Sequence, residues 1–289
     1  MRKKIVLTGA NGFVASTIRL YNSDRFDFIN ITRKEIDFSK PETVAGALNE
    51  LDFDVLVHTA AIAVTEFCAE HPEEAHAINV DSALEAAKAA DAKGARFVFL
   101  STEQVYNGRN DAGPFTEADE PLCVTNYGNN KLEAESKIRQ SIRDHLILRL
   151  STMFGLPMPG IRPSSNAMTR AWNAVRTKTP AKFTPHEKRG MTYIMDLAEN
   201  FGKLIEVPAG TYHVSSRNTL TTYESAQYVA RQLGCSPEEI AKYILPDEER
   251  YAERPRDYRL DGSKLAGLGI DLGTMEEDLE RCLIGFGLK

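Results

Sequence analysis

The sequence predicts an α/β protein built on a doubly wound parallel sheet, and two observations predict it. Short apolar, β-branched runs alternate with helical stretches through the first half of the chain. Such alternation implies repeated strand–helix–strand units with right-handed crossovers. The first run, Lys4 to Thr8, also feeds straight into a glycine turn, Gly9-Ala10-Asn11-Gly12-Phe13-Val14-Ala15. A glycine-rich exit from an N-terminal strand into a helix marks a Rossmann-type dinucleotide-binding sheet.

The remaining elements follow in order. Residues 28–32, 54–58, 96–101 and 145–150 read as the second to fifth strands. Helices are expected over 41–51, 72–92 and 130–143. Beyond Gly155 the texture loosens at Pro157, Pro159, Pro163, Pro180 and Pro185. Residues 164–177, 192–205 and 222–233 still read as helices, and 210–214 as a strand. We therefore expect a dinucleotide-binding domain over 1–155 and a smaller C-terminal lobe, mainly substrate-binding, over 156–289. No sharp linker separates the two, so the lobe is expected to be interwoven, with residues 192–214 returning to the first domain.

Composition narrows the function classes. The 289 residues carry a formal net charge of −6 and no polybasic run, which argues against a nucleic-acid partner. No apolar stretch approaches the roughly 20 residues that span a bilayer. The basic start is followed by too short an apolar run for a signal peptide. Cys68, Cys123, Cys235 and Cys282 are scattered without a C-x-x-C pair. They read as reduced thiols of a cytoplasmic protein, with no metal site expected. Trp172, on an apolar helical face with Met168 and Val175, suits ordinary packing or the interface of a homodimer.

Three features point to chemistry. In the glycine turn, Gly9 permits the tight exit from the strand, Gly12 lets backbone approach a pyrophosphate, and Ala15 allows close helix packing. An ordinary β–α turn that binds nothing is the plain alternative. At the end of the second strand, where an NAD site carries an acid, the chain has Thr32 followed by Arg33 and Lys34. A hydroxyl and two cations suit the 2′-phosphate of NADP, with NAD as the alternative and a solvated basic loop as the plain reading. Finally, Tyr127 and Lys131 stand four apart, on one helix face, downstream of Ser101-Thr102. A phenol has an unperturbed pKa of about 10, which a nearby ammonium lowers, making the tyrosine a usable proton donor or acceptor. Thr102 is placed to hold the substrate oxygen that receives the proton.

With these residues in view, the chain resembles the extended short-chain dehydrogenase/reductase superfamily, within it the dTDP-4-dehydrorhamnose reductase branch. The resemblance rests on Val6 to Gly12, Glu35-Ile36-Asp37-Phe38, His58-Thr59-Ala60-Ala61, Ile78-Asn79-Val80 and Leu100 to Tyr106. It continues through Tyr127-Gly128-Asn129-Asn130-Lys131, Arg149 to Gly155, and Arg254-Pro255-Arg256-Asp257-Tyr258-Arg259-Leu260. The resemblance implies an NAD(P)-dependent oxidoreductase of a nucleotide-linked sugar. Thr102 would bond the substrate oxygen, Tyr127 exchange the proton, and Lys131 hold the nicotinamide ribose and tune Tyr127. Asn11, Phe13 and Val14 would join the glycines at the cofactor, Asp37 and Phe38 would border the adenine, and Ala60, Ala61 and Asn79 would line the path to the nicotinamide. Glu103 and Thr152 would face the sugar. Arg254 and Arg256, two guanidinium groups around a proline, suit a diphosphate, with a surface ion-pair patch as the alternative.

Two departures bear on the substrate. Thr152 stands where the rhamnose reductases carry tryptophan, and the stretch from Pro121 to Tyr127 is longer than theirs. Thr102-Glu103-Gln104 also replaces the Thr-Asp-Glu of the related 4,6-dehydratases, and Gln104 cannot shuttle the proton that dehydration requires. Two other readings stand beside the reductase: an epimerase of the same superfamily, and a non-catalytic partner protein resembling the regulatory β subunit of methionine adenosyltransferase. His58 and His213 read as hydrogen-bonded structural histidines.

Overall fold

The structure is a computed structural model, and it describes residues 2–289. The first half runs β1 (Lys4–Thr8), α1 (Phe13–Asn22), β2 (Asp27–Ile31), α2 (Pro41–Asn49) and β3 (Val55–His58). It continues with α3 (Thr65–Glu70), α4 (Pro72–His76), α5 (Ser82–Ala92), β4 (Arg96–Thr102), α6 (Asn126–Ser141) and β5 (His145–Leu150). Then come β6 (Thr152–Phe154), α7 (Ala167–Thr177), β7 (Ala181–Phe183), β8 (Glu187–Lys188), β9 (Met191–Tyr193), α8 (Ile194–Leu204) and β10 (Gly210–Val214). The tail holds α9 (Thr222–Gln232), α10 (Pro237–Tyr243), β11 (Ile244–Pro246), β12 (Arg256–Asp257), α11 (Ser263–Ala266) and α12 (Met275–Gly285). No helix among the described residues is long and apolar enough to cross a membrane.

The expected α/β fold is present. One six-stranded sheet runs β10-β5-β4-β3-β1-β2, and β1 to β5 pair in parallel. Strand order reverses between β1 and β3, the switch point outside whose carboxyl ends such sheets bind ligands. Val6, Leu56, Phe97, Phe99 and Ile147 of the strands pack with Val44, Leu48, Ala86, Ala90, Ala134 and Ile138 of α2, α5 and α6. That core fixes the strand ends from which the candidate residues project.

Three expectations need correction. Residues 72–92 are not one helix: a π turn at Ala77–Asp81 separates α4 from α5, and buried Asn79 there reaches back to Ile62. The third helix starts at Asn126, not 130, because the Thr125 hydroxyl accepts from the Gly128 amide and caps it. Tyr127 therefore lies in its first turn. The division also falls elsewhere than at residue 155. One compact unit comprises Met1–Gly108, Glu120–Leu150 and Leu197–Tyr212, and the other Arg109–Asp119, Ser151–Asp196 and His213–Lys289. Residues 109–119 join the second because Phe115 and Gly113 bond the backbone of Arg259 and Asp257, while Asp261 bonds Phe115. Residues 197–212 join the first through Arg96, which bonds the carbonyls of Ile205 and Val207.

Candidate active site

The glycine turn is built as its residues require. Gly9 has φ +62°, and a Cβ there would stand 2.7 Å from Thr59 Oγ1 and 2.9 Å from the Ala60 amide. Only glycine fits that conformation without strain. Gly12 precedes α1 without any side-chain cap, so the first amides of a ten-residue helix face an open end suited to an anion. Asn11 is exposed, Val14 half-buried, and Phe13 buried in the core.

Thr32 lies just past β2, with Arg33 and Lys34 exposed beside it. The sequence reading found no acid at this position, yet the structure places one there. Glu35 accepts from both the amide and the hydroxyl of Thr32 at 2.7 Å. These bonds hold its pKa below the usual range. Asp37 is exposed and closes a turn onto Ser39. Neither it nor Ser39 caps α2, whose N-cap is Lys40 before Pro41. Phe38 is buried, edge-on to His58 at 5.5 Å.

At the exit of β3, Thr8 Oγ1 accepts from the amides of Thr59 (3.1 Å) and Ala60 (3.3 Å). It also meets His58 Nδ1 at 3.1 Å. A hydroxyl that accepts twice has its proton free to donate, so Nδ1 is the acceptor and Nε2 bears the hydrogen. Burial, with the charge of Lys131 adding to it, drives the His58 pKa down to about 3. Ala60 and Ala61 are half-buried at this exit. Asn79 accepts from the Ile62 amide at 2.8 Å and donates to its carbonyl at 3.0 Å. Its amide thus sets the path of the loop.

The catalytic candidates converge within this unit. Thr102 ends β4 and caps the 3₁₀ turn Glu103–Tyr106 by accepting from Gln104. Its side chain lies near the Tyr127 phenol and favours the ionised form. Tyr127 and Lys131 occupy the buried face of α6. The expected lowering of the phenol's pKa by Lys131 does not occur. Burial, with the nearby Cys68 and Glu103 adding to it, pushes Tyr127 up to about 12 against the opposing influence of Thr102. The ammonium is engaged elsewhere: Lys131 Nζ donates to the Leu100 carbonyl at 2.8 Å and lies 4.4 Å from the centre of the Phe99 ring. Burial lowers Lys131 to about 8, against the pull of Glu135. Tyr127 is consequently a protonated phenol at neutral pH, a donor in waiting. Gly128 admits no side chain, since a Cβ would stand 2.1 Å from Cys123 Sγ and 3.0 Å from the Gln104 carbonyl.

Sequence reasoning missed the buried polar group behind these residues. Glu135, one turn beyond Lys131, accepts from Ser101 Oγ at 2.5 Å and from Arg149 Nη2 at 2.7 Å. Arg149 also donates to the Tyr106 hydroxyl at 2.6 Å. The continued four-residue spacing Tyr127, Lys131, Glu135 was the available signal.

The other candidates lie in the second unit. Thr152 is half-buried in β6, its amide bonded to the Gly190 carbonyl at 3.1 Å. Arg254 is exposed and donates to Asn110 Oδ1 at 3.0 Å. Arg256 stacks 3.7 Å above the Tyr251 ring. It lines a cavity of about 270 Å³ with Asn110, His186, Lys188 and Asp257. His213 is buried, its Nδ1 3.0 Å from the Phe115 carbonyl.

Residues 2–286 match the model of the family described as the RmlD substrate binding domain. The chain belongs to this family. Similar proteins include the probable low-salt glycan biosynthesis reductase Agl14 of Haloferax volcanii, 30% identical over 94% of this chain and 95% of that one. The dTDP-4-dehydrorhamnose reductase of Sinorhizobium fredii is 28% identical over 96% of each. The methionine adenosyltransferase 2 subunit beta of Bos taurus is 27% identical over 94% of this chain and 84% of its own. Among solved structures, dTDP-4-dehydrorhamnose reductase from Bacillus anthracis, in complex with NADP, superposes with a TM-score of 0.84 at 23% identity over 99% of each chain. The family match thus covers the described chain up to residue 286.

Proposed function

We propose that this protein is an NADP(H)-dependent reductase of a nucleotide-linked keto-sugar, with Thr102, Tyr127 and Lys131 as its catalytic groups. The observation that carries the reading is that α6 buries Tyr127 and Lys131 on one face, one helical turn apart, close to Thr102 at the end of β4. The reductases among its relatives support it. The residues present fit a dinucleotide. Gly9 leaves a cradle that a Cβ would fill, the uncapped start of α1 suits a pyrophosphate, and exposed Arg33 suits a 2′-phosphate. Asp37, Phe38, Ala60, Ala61 and Asn79 complete the wall of that site.

When bound, the dinucleotide supplies the hydride. The chain's own residues manage the oxygen. Thr102 holds the carbonyl oxygen, Tyr127 donates its proton to it, and Lys131 orients the ribose hydroxyls. Glu103 is buried beside Thr102; within the second unit, Thr152 suits a sugar hydroxyl, and Arg254 and Arg256 suit a diphosphate. Four free thiols suit a cytoplasmic setting.

The test is NADPH oxidation against a panel of dTDP- and UDP-linked 4-keto-sugars, with Tyr127→Phe as control. Turnover in the wild type, its loss in the variant and nearly equal NADPH affinity in both are expected. No turnover on any keto-sugar, together with capture of a methionine adenosyltransferase catalytic subunit, would replace the reductase by a regulatory reading, which the bovine relative favours.

A further inference from the structure

Ser101, Glu135, Arg149 and Tyr106 form a closed polar ring around the turn that carries Thr102 and Glu103. Glu135 Oε1 accepts from Ser101 Oγ at 2.5 Å on one side of the turn. Arg149 holds Glu135 through Nε at 3.0 and 3.2 Å and through Nη2 at 2.7 Å. On the other side of the turn, Arg149 Nη1 donates to the Tyr106 hydroxyl at 2.6 Å and its guanidinium lies over the Tyr106 ring. The members are sealed from solvent: Glu135 is 0% exposed, Tyr106 1%, Arg149 3% and Ser101 5%. Only Arg139, which also donates to Glu135, reaches the surface.

We propose that Glu135 and Arg149 are positioning residues that clamp both ends of the Thr102–Tyr106 turn against the helix bearing Tyr127 and Lys131. Three elements converge on the pair. Glu135 belongs to α6, two turns beyond Tyr127. Ser101 adjoins Thr102 at the end of β4, and Arg149 sits near the end of β5, opposite Ser101 in the ladder. The pair therefore ties the residue that holds the substrate oxygen to the residue that gives the proton. A charged pair is costly to bury and is often replaceable by apolar side chains without loss of stability. The fold alone needs filled volume here, whereas the directed bonds to Ser101 and Tyr106 set geometry.

The pair also sets the charge felt by Lys131. Facing its ammonium are Glu135 on α6, Cys68 on α3, the Leu100 carbonyl and Phe99 ring on β4, and neutral His58 on β3. Among these Glu135 is the carboxylate, and its charge raises Lys131 against burial.

The inference rests on the reductase reading, so its test has one arm that needs no turnover. In protein carrying labelled lysine, Glu135→Gln should move the Lys131 titration downward from about 8, and Lys131→Arg identifies the signal. In the second arm, the double variant Glu135→Leu/Arg149→Met keeps the volume and should keep the fold and NADPH affinity. Its kcat on the keto-sugar should fall about a hundredfold, the scale of a small misplacement of reacting groups, with KM for NADPH within about twofold of wild type. A stable double variant of undiminished kcat overturns the proposal, and so does a Lys131 titration unmoved by Glu135→Gln. If instead the wild type reduces no keto-sugar while the Lys131 shift is seen, the reductase reading fails and the clamp survives.

Discussion

Glu135 in the first unit and Asp278 in the second are both carboxyls sealed from solvent, and they sit in opposite charge states. Burial disfavours the charged form of each. At Glu135 the bonds and charge of Arg149, with Ser101 and Arg139, outweigh burial and hold the pKa below the usual range. At Asp278 burial dominates and Asp196 adds to it, so the pKa rises to about 8 even though Ser216 and the Tyr193 amide donate to the carboxyl. The arginine near that second group, Arg281, contacts Asp196. A guanidinium brought directly onto the buried acid keeps a fixed charge; one placed on its neighbour leaves a proton. The charged arrangement lies beside the candidate catalytic groups, and the protonated one ties β9 and the Ser216 loop to α12.

The largest expected effect comes from breaking the charged arrangement. Arg149→Met alone leaves Glu135 buried without its main partner and should cost about 3–5 kcal/mol, read by urea unfolding at pH 7. The Glu135→Leu/Arg149→Met double variant should recover most of it. If the single variant loses under about 1 kcal/mol, Glu135 is not held charged by Arg149.

Gly128→Ala probes the same region through shape. The added Cβ would stand 2.1 Å from Cys123 Sγ, so the loop before Tyr127 must move. Overpacking of this kind costs about 1–3 kcal/mol. Adding Cys123→Ala should restore part of it, and an unchanged unfolding midpoint in Gly128→Ala would show that the loop yields freely.

The first unit was far more legible in sequence than the second, for physical reasons. The β1–Gly9 turn and the Tyr127/Lys131 pair are local patterns, with spacing fixed by backbone geometry. The ladder from Lys4 to Leu150 repeats one strand–helix rhythm. What stayed hidden depends on contacts distant in sequence. Glu35 reaches Thr32 only once the turn after β2 has formed, and Arg149 meets Tyr106 across 43 residues. The membership of residues 109–119 in the second unit depends on backbone bonds to Asp257 and Arg259. The pKa of Tyr127 was misjudged because spacing places Lys131 beside it but says nothing of burial or of the carbonyl that engages the ammonium.

The protonated arrangement should reveal itself through pH. In the unfolded chain Asp278 titrates near 3.8, in the folded chain at about 8. Between these values the folded state holds a proton that the unfolded state lacks. The stabilisation is complete below 3.8 and is lost as pH rises to about 8. Asp278→Asn mimics the protonated acid at every pH. Relative to wild type it should gain stability as pH rises from 3.8 to about 8, with a slope of at most about 1.4 kcal/mol per pH unit, so the gain at pH 8 clearly exceeds that at pH 5. A difference independent of pH would mean that Asp278 is charged when folded.

The smallest effect concerns the unforeseen acid at the end of β2, and it asks whether an exposed carboxylate behaves like either buried one. Glu35 is solvent-exposed and accepts from Thr32, with Arg33 and Lys34 beside it. If a 2′-phosphate binds Arg33 as proposed, Glu35 repels it across a screened surface. Removing such an exposed, screened charge should change affinity roughly twofold. Glu35→Gln should thus tighten NADPH about twofold at low salt, leave NADH nearly unchanged, and lose its advantage in high salt as screening shortens the interaction. The larger Arg33→Ala/Thr32→Asp change should reverse the preference between the two cofactors, and paired titrations read both. Equal tightening of NADPH and NADH by Glu35→Gln would place its effect on the Thr32 turn itself, since a backbone adjustment cannot distinguish cofactors that differ only in that phosphate.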